Sequence, residues 1–400
     1  MKPMRLVEAM RAAISSAWTL FLITFMVRLL VFAQVLPQRG PEGFYQFNEQ
    51  ARIAWSLASG HGFSSPWINT PLLPTAQQPP IYPMLLAGTF KLAGSYSKLS
   101  LWIAEILNAT FAGLTAILIF SLGKQSFNSA TATIAAWAWA IWQYPAVVAI
   151  RVWDSSLSAL LLTFSLWWLS RLPGSSSWAK WLGFGVLVGV SGLTNPALLA
   201  VFPFFCLWLW VRQPGSKVRI AASLLACLLT LAPWVARNYA QFHRWIPVRD
   251  NFGFELWQGN HEGPKSDAGE YVRLGEIPYM EAKHHAAMEF IVHGPGAFVW
   301  RCGQRAYHFW SDPDPLLWLP VSALAWIGLV LSLWRKHEGA VPLAMVVLAF
   351  PGVYYITHPG AAYRHPMEPV VTLLSTYALV TIGTWVKKIL SRESPAPAYN

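Results

Sequence analysis

Acid–base chemistry has few places to occur in this chain. Asp and Glu number 18 among 400 residues, against 29 Lys and Arg. A group that draws a proton from an attacking hydroxyl must come from a small set. Before the second long polar segment the candidates are Glu42, Glu49, Glu105 and Asp154. Glu49 lies on the polar side of an amphipathic segment, where it is either a base or a solvated charge paired with Arg52 three residues on. Asp154, in Arg151-Val152-Trp153-Asp154-Ser155-Ser156, opens an apolar stretch. It is either an acid at the floor of a cavity or a helix cap favoured by the helix dipole. Recognition of a phosphate would fall to arginines at the ends of apolar stretches, Arg237, Arg244, Arg249 and Arg364, because the guanidinium fork binds two oxygens at once. Arg364 and the adjacent His365 suit that role, but an arginine there is equally an interfacial anchor. The ten histidines have no metal-ligand spacing, and there is no H-x-x-x-H, C-x-x-C or G-x-x-x-x-G-K motif. Cys206, Cys227 and Cys302 make no disulfide framework.

The elements that must position these residues are apolar. The chain is 55% hydrophobic and 12% charged, with a mean hydropathy of +0.39, where soluble proteins carry about 25% charged residues. A helix needs about 20 apolar residues to cross the hydrocarbon. Ten stretches qualify: Ala12–Leu36, Lys98–Leu122, Ser129–Ile150, Asp154–Leu172, Trp178–Thr194, Pro196–Val211, Arg219–Ala236, Pro315–Trp334, Ala340–Ile356 and Pro366–Leu390. The fifth and sixth are short and meet at Asn195-Pro196. The runs lack the alternation of barrel strands. The expected fold is an all-α polytopic membrane protein of about ten transmembrane helices, one integral membrane domain over residues 1–400. The first stretch is too long for a cleaved signal and reads as a retained anchor.

Net charge is +11, but its distribution excludes nucleic acid as the partner. Lys2, Arg5, Arg11, Lys124, Arg171, Lys180, Arg212, Lys217, Arg219, Arg335, Lys336, Lys387, Lys388 and Arg392 all fall on one side if ten spans are present. The short loops opposite carry only Arg151 and Arg364. By the positive-inside rule both termini are cytoplasmic and the two long loops, 37–97 and 238–313, are external, which in a bacterium places them outside the inner membrane. Residues 391–400 form a short disordered cytoplasmic tail. Arg28 and Glu105 fall inside the first and second spans at matching depth, roughly 10–12 Å below the external surface at 1.5 Å per residue. Charges at that depth are paired or functional, and the equal depth predicts a structural ion pair.

Each long loop contains amphipathic interfacial helices. In the first, Phe44–Ser59 places Phe47, Ala51, Ala54, Trp55 and Ala58 on one face. The stretch 63–78 is irregular, and Ile81–Ala93 is a second helix that stops at Gly94. In the second loop, Tyr279–Val292 and Ala297–Trp310 are helical. This loop is too short for a core of its own, so it packs on the first loop and the membrane rim.

Four segments carry a resemblance. They are Arg52-Ile53-Ala54-Trp55-Ser56-Leu57-Ala58-Ser59-Gly60-His61-Gly62-Phe63; Pro79-Pro80-Ile81-Tyr82-Pro83; Pro233-Trp234-Val235-Ala236-Arg237-Asn238-Tyr239 with Gly253, Leu256, Gly259 and Asn260 downstream; and Tyr363-Arg364-His365-Pro366-Met367-Glu368-Pro369. In this order the chain resembles the C-type (GT-C) membrane glycosyltransferases, such as protein O-mannosyltransferases and the lipid A aminoarabinose transferase. The resemblance implies a sugar donor on polyprenyl phosphate and an acceptor glycan, lipid or protein at the external face. It also implies inverting transfer with a first-loop acid as base. The chain departs from the pattern twice. The usual aspartate position holds Gln46, which leaves Glu49 three residues on as the base and Asp154 as a second acid. Gln78 stands where aminoarabinose transferases have lysine. Arg237, Arg364 and His365 become the donor-phosphate candidates. No cofactor is required on this reading, and metal dependence is left open because no ligand motif is present. The competing classes are a lipid transporter, flippase or envelope-assembly scaffold, which needs polar residues through several spans, and a polymerase or ligase of pyrophosphate-linked glycans, which needs one dominant loop with paired arginines.

Overall fold

The computed structural model describes residues 16–46, 48–64, 67, 70–261 and 268–393. Phe47, the first residues of the expected first span, the basic residues before it and the end of the tail lie outside them. Helices α1 (Ala17–Tyr45), α4 (Lys98–Ser126), α10 (Lys217–Phe242), α15 (Pro315–Trp334) and α19 (Glu368–Glu393) hold the five segments long and apolar enough to cross a membrane as single helices. α2 (Glu49–Ala58) and α3 (Ile81–Ala93) belong to the first long loop. The remaining apolar stretches are shorter or broken: α5 (Ser129–Ile141) followed by α6 (Gln143–Ala149), α7 (Ser155–Leu169), α8 (Trp178–Thr194), and a 3-10 turn (Pro196–Val201) running into α9 (Phe202–Arg212). The second long loop holds α11 (Phe252–Asn260), α12 (Ala268–Leu274), α13 (Glu276–His293) and α14 (Pro295–Ser311), and α16 (Ala340–Ala349), α17 (Gly352–Ile356) and α18 (Ala361–Arg364) follow α15. Among the described residues each of the ten apolar stretches is largely helical. At 1.5 Å per residue the 15 residues of α7 reach only about 22 Å, short of the ~30 Å hydrocarbon. The structure therefore supports a polytopic helical fold without fixing ten full spans.

The bundle core is apolar and includes Trp139, Trp181, Phe184 and Leu374, all fully buried. Outward faces are apolar too: Leu92, Leu229, Val211, Leu316 and Trp334 are each more than 60% exposed. A helix that is hydrophobic all round is one meant for lipid.

The Arg28–Glu105 pair does not form. Arg28 donates to the carbonyls of Trp139 (2.8 Å) and Ala140 (3.2 Å) and lies over the Trp139 ring. These carbonyls belong to the last turn of α5, where no further N–H is available to them. A cation is favoured at that end of a helix. The break between α5 and α6 thus satisfies the arginine that the sequence assigns to a carboxylate. Glu105 is buried and accepts from Asn108 Nδ2 at 3.4 Å; Asn108 Oδ1 accepts from the Tyr82 hydroxyl.

The first long loop differs from expectation at its start. Residues 44–45 continue α1, which bends at Gly40 (φ 63°), a conformation open to glycine, between Pro37 and Pro41. The loop helix begins at Glu49 because Asn48 caps it, its side chain accepting from Ala51 N at 2.9 Å. The irregular stretch, α3 and its stop before Gly94 are as expected. The second loop packs on the first: Trp67 stacks among Phe254, Tyr271 and Tyr279 in a small aromatic core.

Candidate active site

A cavity of about 570 Å³ lies between the two long loops and the helix ends beneath them. Its polar part is formed by Glu49, Gln78, Asp154, Asn195, Arg249 and Glu255. Its apolar part is formed by Pro196, Ala197, Leu199, Ala200, Phe252 and Val353. Broken helices create both parts. The Asn195-Pro196 step ends α8 and leaves Asn195 free to donate to Asp154 Oδ2 at 3.1 Å, while the following 3-10 turn supplies the apolar wall.

Glu49 and Asp154 are both in this cavity, and neither has the structural role weighed against catalysis. Arg52 stacks on Trp55, while Glu49 accepts from Gln78 Nε2 and the Trp67 indole. Burial, and then the neighbouring Glu255 charge, push the Glu49 carboxyl above the usual range; Arg249 and the two donors hold it back. A carboxylate with a raised pKa is a stronger base near neutrality. Asp154 makes no cap bond to α7. Its oxygens accept instead from Gln50 (3.0 Å), Ser158 (2.8 Å) and Asn195. Three donors fix its orientation. Gln50 also donates to Gln78 Oε1 at 3.5 Å, so the two glutamines link the carboxylates in one network. Gln46, at the usual aspartate position, lines a different cavity, and Glu49 is the first-loop acid facing this one.

The arginines fall out differently from expectation. Arg237 donates to the carbonyls of Thr75 (2.7 Å) and Phe63 (2.8 Å), and does not line the cavity. Its motif partners act alike: Trp234 Nε1 donates to Val248 O and Asn238 Nδ2 to Ile246 O. The Pro-Trp-x-x-Arg-Asn-Tyr segment is therefore a clamp on main chain, holding the stretch that ends at Arg249. Arg364 and His365 do not line the cavity either. Both are buried against Glu368, with Arg364 stacked on Trp318 and donating to Phe309 O. Desolvated groups with their own counter-charge are not open to a ligand. The arginine in the cavity is Arg249, 2.8 Å from Glu255, which Asn251 and His358 also contact. Arg249 belongs to the set of span-end arginines, but its sequence context carries no motif that singles it out.

The Gly259-Asn260 pair docks α11 beside the site. A Cβ at Gly259 would lie 1.9 Å from Thr357 O, and Asn260 Nδ2 donates to Ile356 O. This contact sets the neighbouring His358. Among the described residues no three His, Cys, Asp or Glu side chains converge closely enough to hold a metal ion.

Residues 77–236 match the family model described as dolichyl-phosphate-mannose-protein mannosyltransferase, a range that includes Gln78, Asp154 and Asn195. No curated protein matches the chain. Among solved structures, ArnT from Cupriavidus metallidurans bound to undecaprenyl phosphate is similar with a TM-score of 0.55 and 15% identity, over 93% of this chain and 62% of that one. The archaeal oligosaccharyltransferase AglB from Archaeoglobus fulgidus, in complex with an inhibitory peptide and a dolichol-phosphate, is similar with a TM-score of 0.58 and 13% identity, over 96% of this chain and 52% of that one. The chain thus spans less than two thirds of either protein. The chain is a polytopic helical membrane protein whose fold is similar to that of these two proteins and whose residues 77–236 match the mannosyltransferase family model.

Proposed function

We propose that this protein is an inverting glycosyltransferase that moves a sugar from a polyprenyl-phosphate donor to an acceptor hydroxyl. The observation that carries the reading is the composition of the cavity between the loops. Three carboxylates, Glu49, Asp154 and Glu255, and the Arg249 guanidinium face it from one part, and the apolar residues Pro196, Ala197, Leu199 and Ala200 line the other. A lipid-linked phosphate ester has that same division. The ligands named for ArnT and AglB, undecaprenyl phosphate and dolichol-phosphate, are of this class.

In the proposed step the acceptor oxygen attacks the anomeric carbon from the side opposite the phosphate. Glu49 takes the hydroxyl proton as the new C–O bond forms. The bond to the phosphate oxygen breaks, and its electron pair leaves on the lipid phosphate. Arg249 balances the charge growing on that phosphate. Asp154, held by three donors, orients the acceptor and the Gln50–Gln78 link to Glu49. The two long loops face the outside of the membrane and both termini the cytoplasm, consistent with the basic residues gathered at the other end, where Arg212 meets Glu338 and Arg171 meets Gln125. In a bacterium this is the inner membrane.

The test is mass spectrometry of cell-envelope glycans and lipid-linked sugars with and without the protein. Transfer predicts that a polyprenyl-phosphate sugar accumulates and one envelope glycan loses a sugar when the protein is absent. A transporter would instead change the distribution of the lipid between leaflets with the total unaltered. No change in either pool overturns the proposal.

A further inference from the structure

A second cavity of about 290 Å³ adjoins the first, with Trp153 and Tyr363 on the boundary between them. Its charged lining is Arg39 and Arg151. Four loop-side arginines are held by oxygen acceptors, Arg237 and Arg305 by carbonyls and Arg244 and Arg249 by glutamates, while Arg52 and Arg301 lie over the Trp55 and Phe290 rings, away from either cavity. Arg39 has only the Phe44 ring beside it, and Arg151 has no ion pair or side-chain hydrogen bond among the described residues. Glu42, the acid closest to Arg39 in sequence, is exposed and forms no ion pair with it. The backbone carrying Arg151 is fixed in advance. Asn48 Nδ2 donates to Val152 O, Asn108 Nδ2 to Arg151 O, and Trp153 N to Arg151 O. Gly360, Ala361 and Ala362 keep the facing wall small.

The two cavities meet along the same short stretches of chain. Asn48 lines the second and Glu49 the first; Arg151 lines the second and Asp154 the first. Trp153 and Tyr363 line both, so a molecule seated in the first cavity can extend into the second. We infer that the Arg39–Arg151 cavity binds a phosphate-type anion, and that this anion is part of the acceptor. The second clause rests on the transferase reading; the first does not. Two unpaired guanidinium forks are suited to phosphate oxygens. The same chemistry is offered by an acidic phospholipid headgroup, and the test separates the two sources.

Full-length protein in phosphatidylcholine nanodiscs is treated with phenylglyoxal, which modifies accessible guanidinium groups, and each arginine is followed by peptide mass spectrometry. Millimolar inorganic phosphate should slow modification of Arg39 and Arg151 on the order of tenfold, a difference of about 1.4 kcal/mol, with the exposed Arg335 unaffected. The protection should persist in Arg249→Gln, which separates this site from the first cavity. Protection in phosphatidylglycerol nanodiscs without added phosphate also supports the site and names the lipid headgroup as its ligand. No protection in either lipid overturns the site. With a transfer assay, the double variant Arg39→Gln/Arg151→Gln should raise KM for the acceptor on the order of tenfold and leave donor KM unchanged; a rise in donor KM alone overturns the acceptor assignment. Protection without any transfer by the wild-type protein would end the transferase reading and keep the anion site.

Discussion

The chain builds two clusters of arginine and carboxylate in opposite ways. In the loop-side cavity Arg249 meets Glu255 at 2.8 Å, and Glu49 and Asp154 face the same open volume. In the bundle, Arg364, His365 and Glu368 are sealed, each no more than 2% exposed, with Trp318 covering the guanidinium. The residue types are nearly the same. What separates a site from a structural cluster is whether the helices leave space beside the charge. The first cluster lies where helices break, at Asn195-Pro196 and between α17 and α18. The second lies at the start of α19, against the end of α14 through Phe309 O.

The comparison is most exposed to failure at Glu49. Glu49→Gln keeps the size and the contact with Gln78 but removes the base, so turnover should fall about 10²–10⁴-fold, with thermal melting in detergent close to wild type. Near-normal turnover would move the base to another cavity acid. Glu368→Gln should act in the reverse manner. It leaves Arg364 without its buried counter-charge, which costs roughly 3–5 kcal/mol in soluble proteins. Yield and melting temperature of the detergent-solubilised protein should drop, while donor KM of the folded fraction is unchanged. If Glu368→Gln melts like wild type and loses donor affinity, the sealed cluster is a binding site after all.

A third pair of acids lies between the loops and gives the smallest effect. Asp250 and Glu276 lie together beside Ala76, whose N–H donates to Glu276 and whose carbonyl accepts from Asp250 N. Burial first, then each other's charge on Glu276, push both carboxyls above the usual range. The folded protein therefore holds more protons than the unfolded chain, and the pair's contribution falls as pH rises from about 5 to about 8. Asp250→Asn removes its own share of this dependence and weakens that of Glu276, a difference on the order of 1 kcal/mol. Melting temperature followed over that pH range should decline more steeply in wild type than in the variant; parallel curves would mean the loops are not joined this way.

Much of this was visible in the sequence. Apolar runs gave the helices, Gly94 the end of α3, and the scarcity of acids led to Glu49 and Asp154. The arginines were not visible, because a motif shows that a residue is constrained without showing by what. Arg237 is constrained by the carbonyls of Thr75 and Phe63, and Arg364 by Glu368 and Phe309. Both stand in family-like segments, yet Arg249, without such a segment, faces the cavity. Likewise, depth alone paired Arg28 with Glu105. The break after α5 offered Arg28 two carbonyls instead, and Pro145, which has no N–H to carry a continuous helix past Ile141, is the sequence signal for it.

The central claim is that the cavity beside Glu49 and Arg249 takes the lipid phosphate. Cryo-electron microscopy of the full-length protein in nanodiscs with added undecaprenyl phosphate tests it directly. The account predicts phosphate density within hydrogen-bonding reach of Arg249, with the first isoprenes along Pro196 to Ala200. Phosphate density against Arg237 or Arg364, with the cavity left to solvent, would contradict it.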